Sequence, residues 1–143
     1  KLLEYVKNGG VLLVQYNKNG RLVSQPGPYP FDITSDRVTE EDAKVKFLLP
    51  DNPAMQYPNK IANSDFEGWI QERGLYFTQN ADSHYQRLFE MHDVDSSPLD
   101  GSTLICNYGK GKYVYSFLDF FRELPAGIPG AFRLFVNLIS KPE

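Results

Sequence analysis

The first residues of the chain change from helical to strand-like spacing of apolar positions. Apolar side chains recur at helical spacing over residues 2–6, and Gly9 and Gly10 follow. Because glycine adopts the left-handed conformation without steric cost, a helix is expected to end here. The apolar run over residues 11–14 then predicts a strand buried on both faces, as in a parallel sheet covered by helices. Since the chain begins at Lys1, inside the helical pattern, we expect it to be a piece of a longer protein that also supplies a preceding strand.

The next part of the chain is predicted to be irregular. Prolines occur at alternate positions 26, 28 and 30, a spacing that a central strand does not accept. We therefore interpret residues 17–36 as a surface excursion, with a short edge strand at residues 21–24. Long irregular loops of this kind often carry function, although they also occur as plain insertions.

The middle of the chain contains one strand signal and one helix signal. Residues 45–49 are predicted to form a strand, and further short strands are expected at residues 75–77 and 85–91. Ser64 and Glu67 have the spacing of a capping box, which predicts a helix that Gly74 ends. On that helix one face would carry Phe66, Trp69, Ile70 and Arg73.

The C-terminal third gives the clearest pattern. Two strand-like runs, residues 103–108 and 112–117, flank a short glycine-containing loop, which predicts a β-hairpin. A last helix is expected after Pro129-Gly130, because apolar residues follow at spacing i, i+3, i+4, i+7. These residues are Phe132, Phe135, Val136 and Ile139.

Composition excludes several classes of protein. The chain has 143 residues, of which 41% are hydrophobic and 23% are charged, as expected of a single domain spanning residues 1–143. The net charge is −3 and no basic cluster is present, which argues against a nucleic-acid partner. No apolar run approaches the roughly 20 residues that span a bilayer, so no membrane span is expected. The single cysteine, Cys106, excludes an internal disulfide within this sequence.

Two motifs that suggest chemistry have simpler explanations. Residues 107–112 contain glycines and lysines, but a phosphate-binding loop opens a helix, whereas these residues lead into a predicted strand. Cys106 lies inside a predicted hairpin strand rather than on a sharp strand-to-helix turn, so we interpret it as a small buried thiol. The sequence therefore predicts no catalytic residue.

One cluster has metal-ligand residue types. It comprises Glu90, His92, Asp93 and Asp95. The Asp-x-Asp pair lacks the third acidic position and the glycine of a calcium loop, and a single histidine among scattered carboxylates is typical of a solvated turn. We predict no metal ligand and no cofactor.

Polar residues at predicted strand ends are the best candidates for a binding site. Ligands of open α/β sheets bind outside the carboxyl ends of strands, and Gln15, Asn17, Asp119 and Arg122 are expected near such ends. The alternative is a structural ion-pair network beneath an aromatic core.

The predicted middle helix and the aromatic residues offer a second set of candidates. Glu67, Trp69 and Arg73 are on that helix, where Arg73 can pack along the indole or reach a carboxylate. Aromatic residues make up 14% of the chain, and tyrosine or tryptophan rings near loops can stack on sugars or fill the core. The rings near loops are Tyr16, Tyr29, Tyr57 and Trp69; for sugar processing, Asp65, Glu67 or Asp119 would supply the acids.

Three stretches together resemble a known family. Residues 27–31 with 36–39, residues 65–77, and residues 120–127 are similar to the C-terminal region of large PIG-L/LmbE-type deacetylases of Bacteroidetes-like bacteria. The resemblance covers nearly the whole chain. It implies an α/β fold of the flavodoxin-like, class I glutamine-amidotransferase-like type: a three-layer sandwich truncated at its N-terminus, with a β-hairpin near the C-terminus, as in the ThuA-like branch.

The resemblance also implies that the catalytic residues of both families are absent. The zinc motif of the deacetylases is of the His-Pro-Asp-Asp type, which residues 92–95 do not match, and no cysteine nucleophile follows the strand that ends at Tyr16. We therefore expect a non-catalytic accessory domain of a zinc-dependent deacetylase. Its partners would be other domains of the same polypeptide, and it would pack against the catalytic domain or help to hold a glycan or amino sugar.

The alternative is an independent carbohydrate-binding or carbohydrate-processing domain. Relatives of this size are often exported, which would place the protein in the periplasm or outside the cell.

Overall fold

The computed structural model describes residues 1–18 and 25–142. The strand predicted at residues 21–24 lies outside this range. The described residues form four α-helices, ten short strands and one 3₁₀ turn. The helices are α1 (Leu2–Lys7), α2 (Pro53–Gln56), α3 (Phe120–Glu123) and α4 (Pro129–Ile139), and the 3₁₀ turn is Asn63–Phe66. The strands are β1 (Val11–Gln15), β2 (Asp32–Ile33), β3 (Arg37–Val38), β4 (Val45–Phe47), β5 (Gly74–Leu75), β6 (Thr78–Gln79), β7 (Gln86–Arg87), β8 (Phe89–Met91), β9 (Thr103–Tyr108) and β10 (Gly111–Ser116).

The main sheet is built around the predicted hairpin. Strands β9 and β10 pair in antiparallel register, and the chain reverses between them at Gly109, whose φ of 59° suits glycine. The sheet order is β1-β10-β9-β7, with β1 parallel to β10 and β7 antiparallel to β9. The hairpin and the strand β1 are confirmed, but the expected burial of β1 on both faces is wrong, because all five of its residues are partly exposed.

The expected flavodoxin-like three-layer sandwich is wrong. That fold needs several parallel strands joined by crossover helices, whereas the main sheet has four strands and one parallel pair, β1 with β10. The remaining described strands form three separate antiparallel pairs, β2 with β6, β3 with β5, and β4 with β8. Much of the chain therefore consists of irregular segments that are joined by short antiparallel pairs of two or three residues per strand. Long strands that alternate with helices, as in the expected fold, are not what these segments form.

The helix predicted from the capping box at Ser64 is also wrong. The chain makes only the 3₁₀ turn Asn63–Phe66 and then reverses at Gly68 and Gln71, which have φ values of 72° and 65°. The Arg73 guanidinium donates to the carbonyl oxygens of Phe66 and Ala43, and these tertiary bonds hold the backbone in its folded-back path. Tertiary contacts thus override a local helix signal.

Helix α4 confirms the predicted C-terminal helix, but its orientation is unexpected. The side chains buried against the rest of the molecule include Ala131, Leu134 and Leu138. The predicted apolar stripe instead lies largely in solvent, with Phe132, Val136 and Ile139 exposed by 46%, 39% and 44%. Phe135 is partly buried, with its ring 5.6 Å from that of Phe120.

Tyrosine and phenylalanine side chains make up much of the core. Tyr113 and Tyr115 of β10 are almost completely buried, as is Phe117, which directly follows this strand. Aromatic rings in the core meet edge to face or at a tilt. Core packing therefore accounts for a large part of the aromatic content. In the part of the chain that the structure describes, no helix has the length and apolar character needed to cross a membrane.

Candidate functional site

The carboxyl ends of β1 and β10 bring predicted site residues together. Because these strands are parallel and Gln15 is paired with Ser116, the residues that follow each strand leave the sheet at the same edge. Asn17 lies beside the hydroxyl of Tyr115, where it opposes the burial that raises the pKa of that tyrosine to about 12. Asp119 follows β10, and its backbone N–H donates to the carbonyl oxygen of Arg73.

Asp119 is the most unusual charged residue at this edge. Its side chain is completely buried, and neither carboxylate oxygen accepts a hydrogen bond from residues that the structure describes. Burial, helped by the nearby carboxylates of Glu72 and Glu123 and opposed by Arg122 and Arg37, raises the pKa of Asp119 to about 7. The nearest cation is Arg122, whose Nε is 3.3 Å from Oδ2 of Asp119.

Three aromatic rings lie beside Asp119 and Arg122. The ring centroid of Tyr16 is 4.7 Å from that of Phe121 and 5.9 Å from that of Tyr76, both in edge-to-face arrangements. Tyr16 and Phe121 are each 43% exposed. The Arg122 guanidinium lies over the Phe121 ring, 5.0 Å from its centroid. We call Tyr16, Asn17, Asp119, Phe121 and Arg122 the carboxyl-end cluster.

The two acidic side chains that act on Asp119 have hydrogen-bond partners of their own. Arg37 binds the largely buried Glu72 at 2.5 Å, and Glu123 accepts the backbone N–H of Ile70 at 3.0 Å. Burial raises the pKa of Glu123. Each of these two acidic side chains therefore accepts a hydrogen bond, whereas Asp119 has only the ion pair with Arg122.

A separate groove contains three other predicted site residues. It has a volume of about 710 Å³, lies between residues 41–46 and 63–69, and is lined by Glu67, Trp69 and Arg73 among others. Its rim carries charged side chains of both signs, and Ala43 and Val45 form part of its buried floor.

Trp69 does not offer a stacking face in this groove. Its side chain is only 3% exposed, and its indole N–H donates to the carbonyl oxygen of Asp65. Arg73 packs near the indole, as the sequence suggested, with its guanidinium carbon 5.8 Å from the ring centroid. Burial lowers the pKa of Arg73, and its donors bind backbone carbonyls. The expected role of Trp69 as a sugar platform is therefore wrong, and both residues hold the fold.

Asp65 and Tyr29 lie apart from the carboxyl-end cluster. Asp65 is almost buried and accepts from Arg133 Nε at 2.8 Å, which ties α4 to the 3₁₀ turn. Tyr29 stacks on His84 at 3.9 Å, and its carbonyl oxygen accepts the hydroxyl of Tyr85. The structure thus distributes the nine predicted residues over several places instead of one.

The metal-like cluster and the cysteine have structural environments. The carboxylate of Asp93 accepts the backbone N–H groups of Thr39 and Glu40. Across residues 1–18 and 25–142, no group of three or more His, Cys, Asp or Glu side chains is arranged to hold a metal ion. Burial raises the pKa of the Cys106 thiol to about 12, which disfavours the thiolate that a nucleophile needs.

Sequence reasoning missed two members of this neighbourhood. Phe121 adjoins the predicted Arg122, but nothing in the pattern indicated that its ring would be exposed. Tyr76 was assigned to a strand, whereas its φ of 61° turns the chain and places its ring against Tyr16. Positive φ values at bulky residues have no sequence signature, so these contacts required the structure.

Comparisons with known proteins give little further information. Neither a protein-family model nor a curated protein matches the chain. Among solved structures, the cold-adapted β-galactosidase from Rahnella sp. R3 is similar with a TM-score of 0.46 and 16% identity. The match covers 96% of this chain and 20% of the β-galactosidase chain, so the present chain spans about a fifth of that protein.

Proposed function

We propose that the chain is a non-catalytic accessory domain that docks, through the outward face of α4, onto the catalytic domain of a PIG-L-type deacetylase. The observation that carries the proposal is the exposure of Phe132, Val136 and Ile139 on one side of α4. Apolar side chains scattered singly over a surface need no explanation, but a contiguous row along one helix is typical of an interaction surface.

Of the two polar side chains within α4, Asn137 is buried, whereas Arg133 is 44% exposed but is held by several hydrogen bonds. Arg133 binds Asp65 and also donates to Asn59 and the carbonyl oxygen of Lys60. Asn137 is completely buried and bonds to Ala54 and Asn59. The exposed part of α4 therefore carries one tethered arginine beside a row of three apolar side chains, which is more apolar than the polar face that a solvated surface helix normally presents.

The neighbouring β1 extends the apolar character of this region. Helix α4 contacts β1, and all five residues of β1 are partly exposed, whereas every residue of the adjacent β10 is buried. Within the described residues β1 pairs with β10 along one edge, and no described strand pairs along its other edge. Apolar strands with an open edge readily accept further chain, which supports the docking of another domain here.

The sequence resemblance motivates the choice of partner. The stretches 27–31, 65–77 and 120–127 are similar to the C-terminal region of PIG-L-type deacetylases, where a catalytic domain belongs to the same polypeptide. A deacetylase catalytic domain is accordingly the occupant that we propose for the α4 face.

The proposal is tested by mixing the chain with a separately produced PIG-L-type catalytic domain. We expect residues 129–139 to gain amide hydrogen-exchange protection on mixing. Val136→Glu places a carboxylate within the proposed contact and should weaken binding at least about 100-fold, since burying an unpaired charge costs several kcal/mol.

A matched control distinguishes docking from a general effect of added charge. Val94 is 70% exposed on the turn near residues 93–96, so Val94→Glu adds the same charge away from α4 and should leave binding unchanged. Light scattering on the chain alone gives the competing outcome. A stable dimer of the chain that Val136→Glu abolishes would assign α4 to a second copy and overturn the proposal, as would equal effects of the two variants.

A further inference from the structure

We propose that the carboxyl-end cluster is a sugar-binding subsite, in which a sugar ring stacks on Tyr16 and Phe121 and donates a hydroxyl or amino hydrogen to Asp119. This inference goes beyond docking through α4 and does not depend on it, because α4 contributes no residue to the cluster.

The first argument is the state of the Asp119 carboxylate. A buried carboxylate without hydrogen bonds is expensive, so buried polar groups in folded proteins nearly always have a partner. Both oxygens of Asp119 are buried and accept no hydrogen bond from the described part of the chain. Arg122 is the one described cation in ion-pair range, with its Nε at 3.3 Å, a separation beyond a good charge-assisted bond. A ligand hydroxyl or ammonium would supply the missing donor.

The second argument is independent and concerns the aromatic rings. Tyr16 and Phe121 remain 43% exposed, whereas half of the 20 aromatic side chains are buried. Tyr16 and its neighbour Tyr76 both have positive φ, at 52° and 61°. Such strain at bulky residues costs of order 1–3 kcal/mol each and is concentrated at ligand sites. Tyr16 directly follows β1, so it lies at the edge where the parallel strands β1 and β10 end, and its ring contacts that of Phe121.

The third argument concerns access to Asp119. The side chain of Arg122 is 41% exposed and covers Asp119, while its guanidinium lies over the Phe121 ring. Because the arginine side chain is long and flexible, Arg122 can move away from Asp119, and a donor on the ligand can take its place at the carboxylate. The C–H face of a sugar then replaces the guanidinium on Phe121, and a sugar hydroxyl replaces it at Asp119. The amide of Asn17, at the same edge, adds a polar group at the rim of the site.

The groove near Trp69 is less suited to a sugar ring. Its aromatic residues, Phe66 and Trp69, are each only 3% exposed, so neither presents a free face. The exposed rings and the unpartnered carboxylate occur together at the carboxyl-end cluster.

The test uses saturation-transfer NMR and calorimetry with three probes: glucosamine, N-acetylglucosamine and N,N′-diacetylchitobiose. We expect at least one of them to bind in the millimolar range or better. Tyr16→Asn removes the ring while keeping a residue that tolerates positive φ, and it should weaken binding about tenfold or more. Asp119→Ala removes the acceptor and should weaken binding by a similar factor.

The controls separate this site from nonspecific contacts. Tyr57 is 47% exposed and lies directly after α2, so Tyr57→Ala should leave the affinity unchanged. Fluorescence of the buried Trp69 reports whether each variant is folded. The proposal is overturned if none of the three probes binds, or if Tyr57→Ala weakens binding as much as Tyr16→Asn. Because Val136→Glu should not affect sugar binding, the docking proposal and this one can fail separately.

Discussion

Replacing Asp119 with asparagine should make the protein more stable at neutral pH than the unmodified chain. The substitution keeps the shape of the side chain and removes a charge that has no hydrogen-bond partner among the described residues. The charged groups that act on Asp119 are Glu72 and Glu123, which raise its pKa, and Arg37 and Arg122, which lower it. Asparagine is indifferent to pH, so the variant isolates the cost of ionising this one group.

The size of the effect follows from the pKa. A carboxyl raised from 3.8 to about 7 in the folded state costs about 4 kcal/mol of folding free energy once it is ionised in both states. Below pH 3.8 the group is protonated in both states and there is no cost. Between pH 4 and 7 the unfolded chain loses this proton first, so the folded state becomes less stable as pH rises. Above pH 7 the cost is constant.

Urea unfolding followed by fluorescence measures this cost directly. The chain has one tryptophan, and its burial makes Trp69 a suitable reporter of folding. The difference in unfolding free energy between Asp119→Asn and the unmodified chain should grow from pH 4 to pH 7 and then level off. At pH 8 the variant should melt roughly 10 °C higher than the unmodified chain.

The control is Val94→Ala, which changes a 70% exposed side chain without adding or removing a titratable group, so its difference in unfolding free energy should not vary with pH. If Asp119→Asn also gives a pH-independent difference, or one that shrinks as pH rises, the carboxylate is solvated or well paired. The reasoning about Asp119 would then be refuted.

Three further predictions concern the packing. Asn137→Ala should lower the unfolding free energy by about 3 kcal/mol in urea titrations, because its buried amide makes four hydrogen bonds to residues 54–59. Gly130→Ala should strongly lower the melting temperature, since the added Cβ would lie 1.8 Å from the carbonyl oxygen of Asp65. Cys106 should react with iodoacetamide at neutral pH only at the rate of unfolding, because burial raises its pKa to about 12; mass spectrometry of native and urea-treated samples checks this.

The elements that could be predicted from sequence are those whose signals are local. The glycine turn at residues 109–111 specifies the hairpin, and Pro129 with the apolar spacing after it specifies α4. The helix predicted after Ser64 does not form, because there a distant contact overrides the local signal. There the capping signal is correct in form, but the path is decided by the bonds from Arg73 to carbonyl groups of Phe66 and Ala43. Partners so distant along the chain cannot be predicted from residue spacing.

The candidate site could be predicted only in part. Parallel pairing of β1 and β10 brings Asn17 and Asp119 to one edge, as the pattern indicated. The burial of Trp69 and the exposure of Phe121 depend on how irregular segments fold over the sheet. Whether the apolar stripe of α4 faces the core or the solvent could not be predicted for a similar reason. Periodicity identifies an apolar face but does not say which neighbour covers it.

The double-sided character of α4 has a consequence for the evolution of this chain. A surface helix usually keeps a solvent face on which substitutions accumulate freely. On α4, Gly130 and Asn137 are constrained by the interior, and Val136 would be constrained by the docked domain. A deep mutational scan of the docked protein should therefore find α4 almost uniformly intolerant. A scan of the chain alone should tolerate polar residues along that outward row, and the difference between the two scans would map the interface residue by residue.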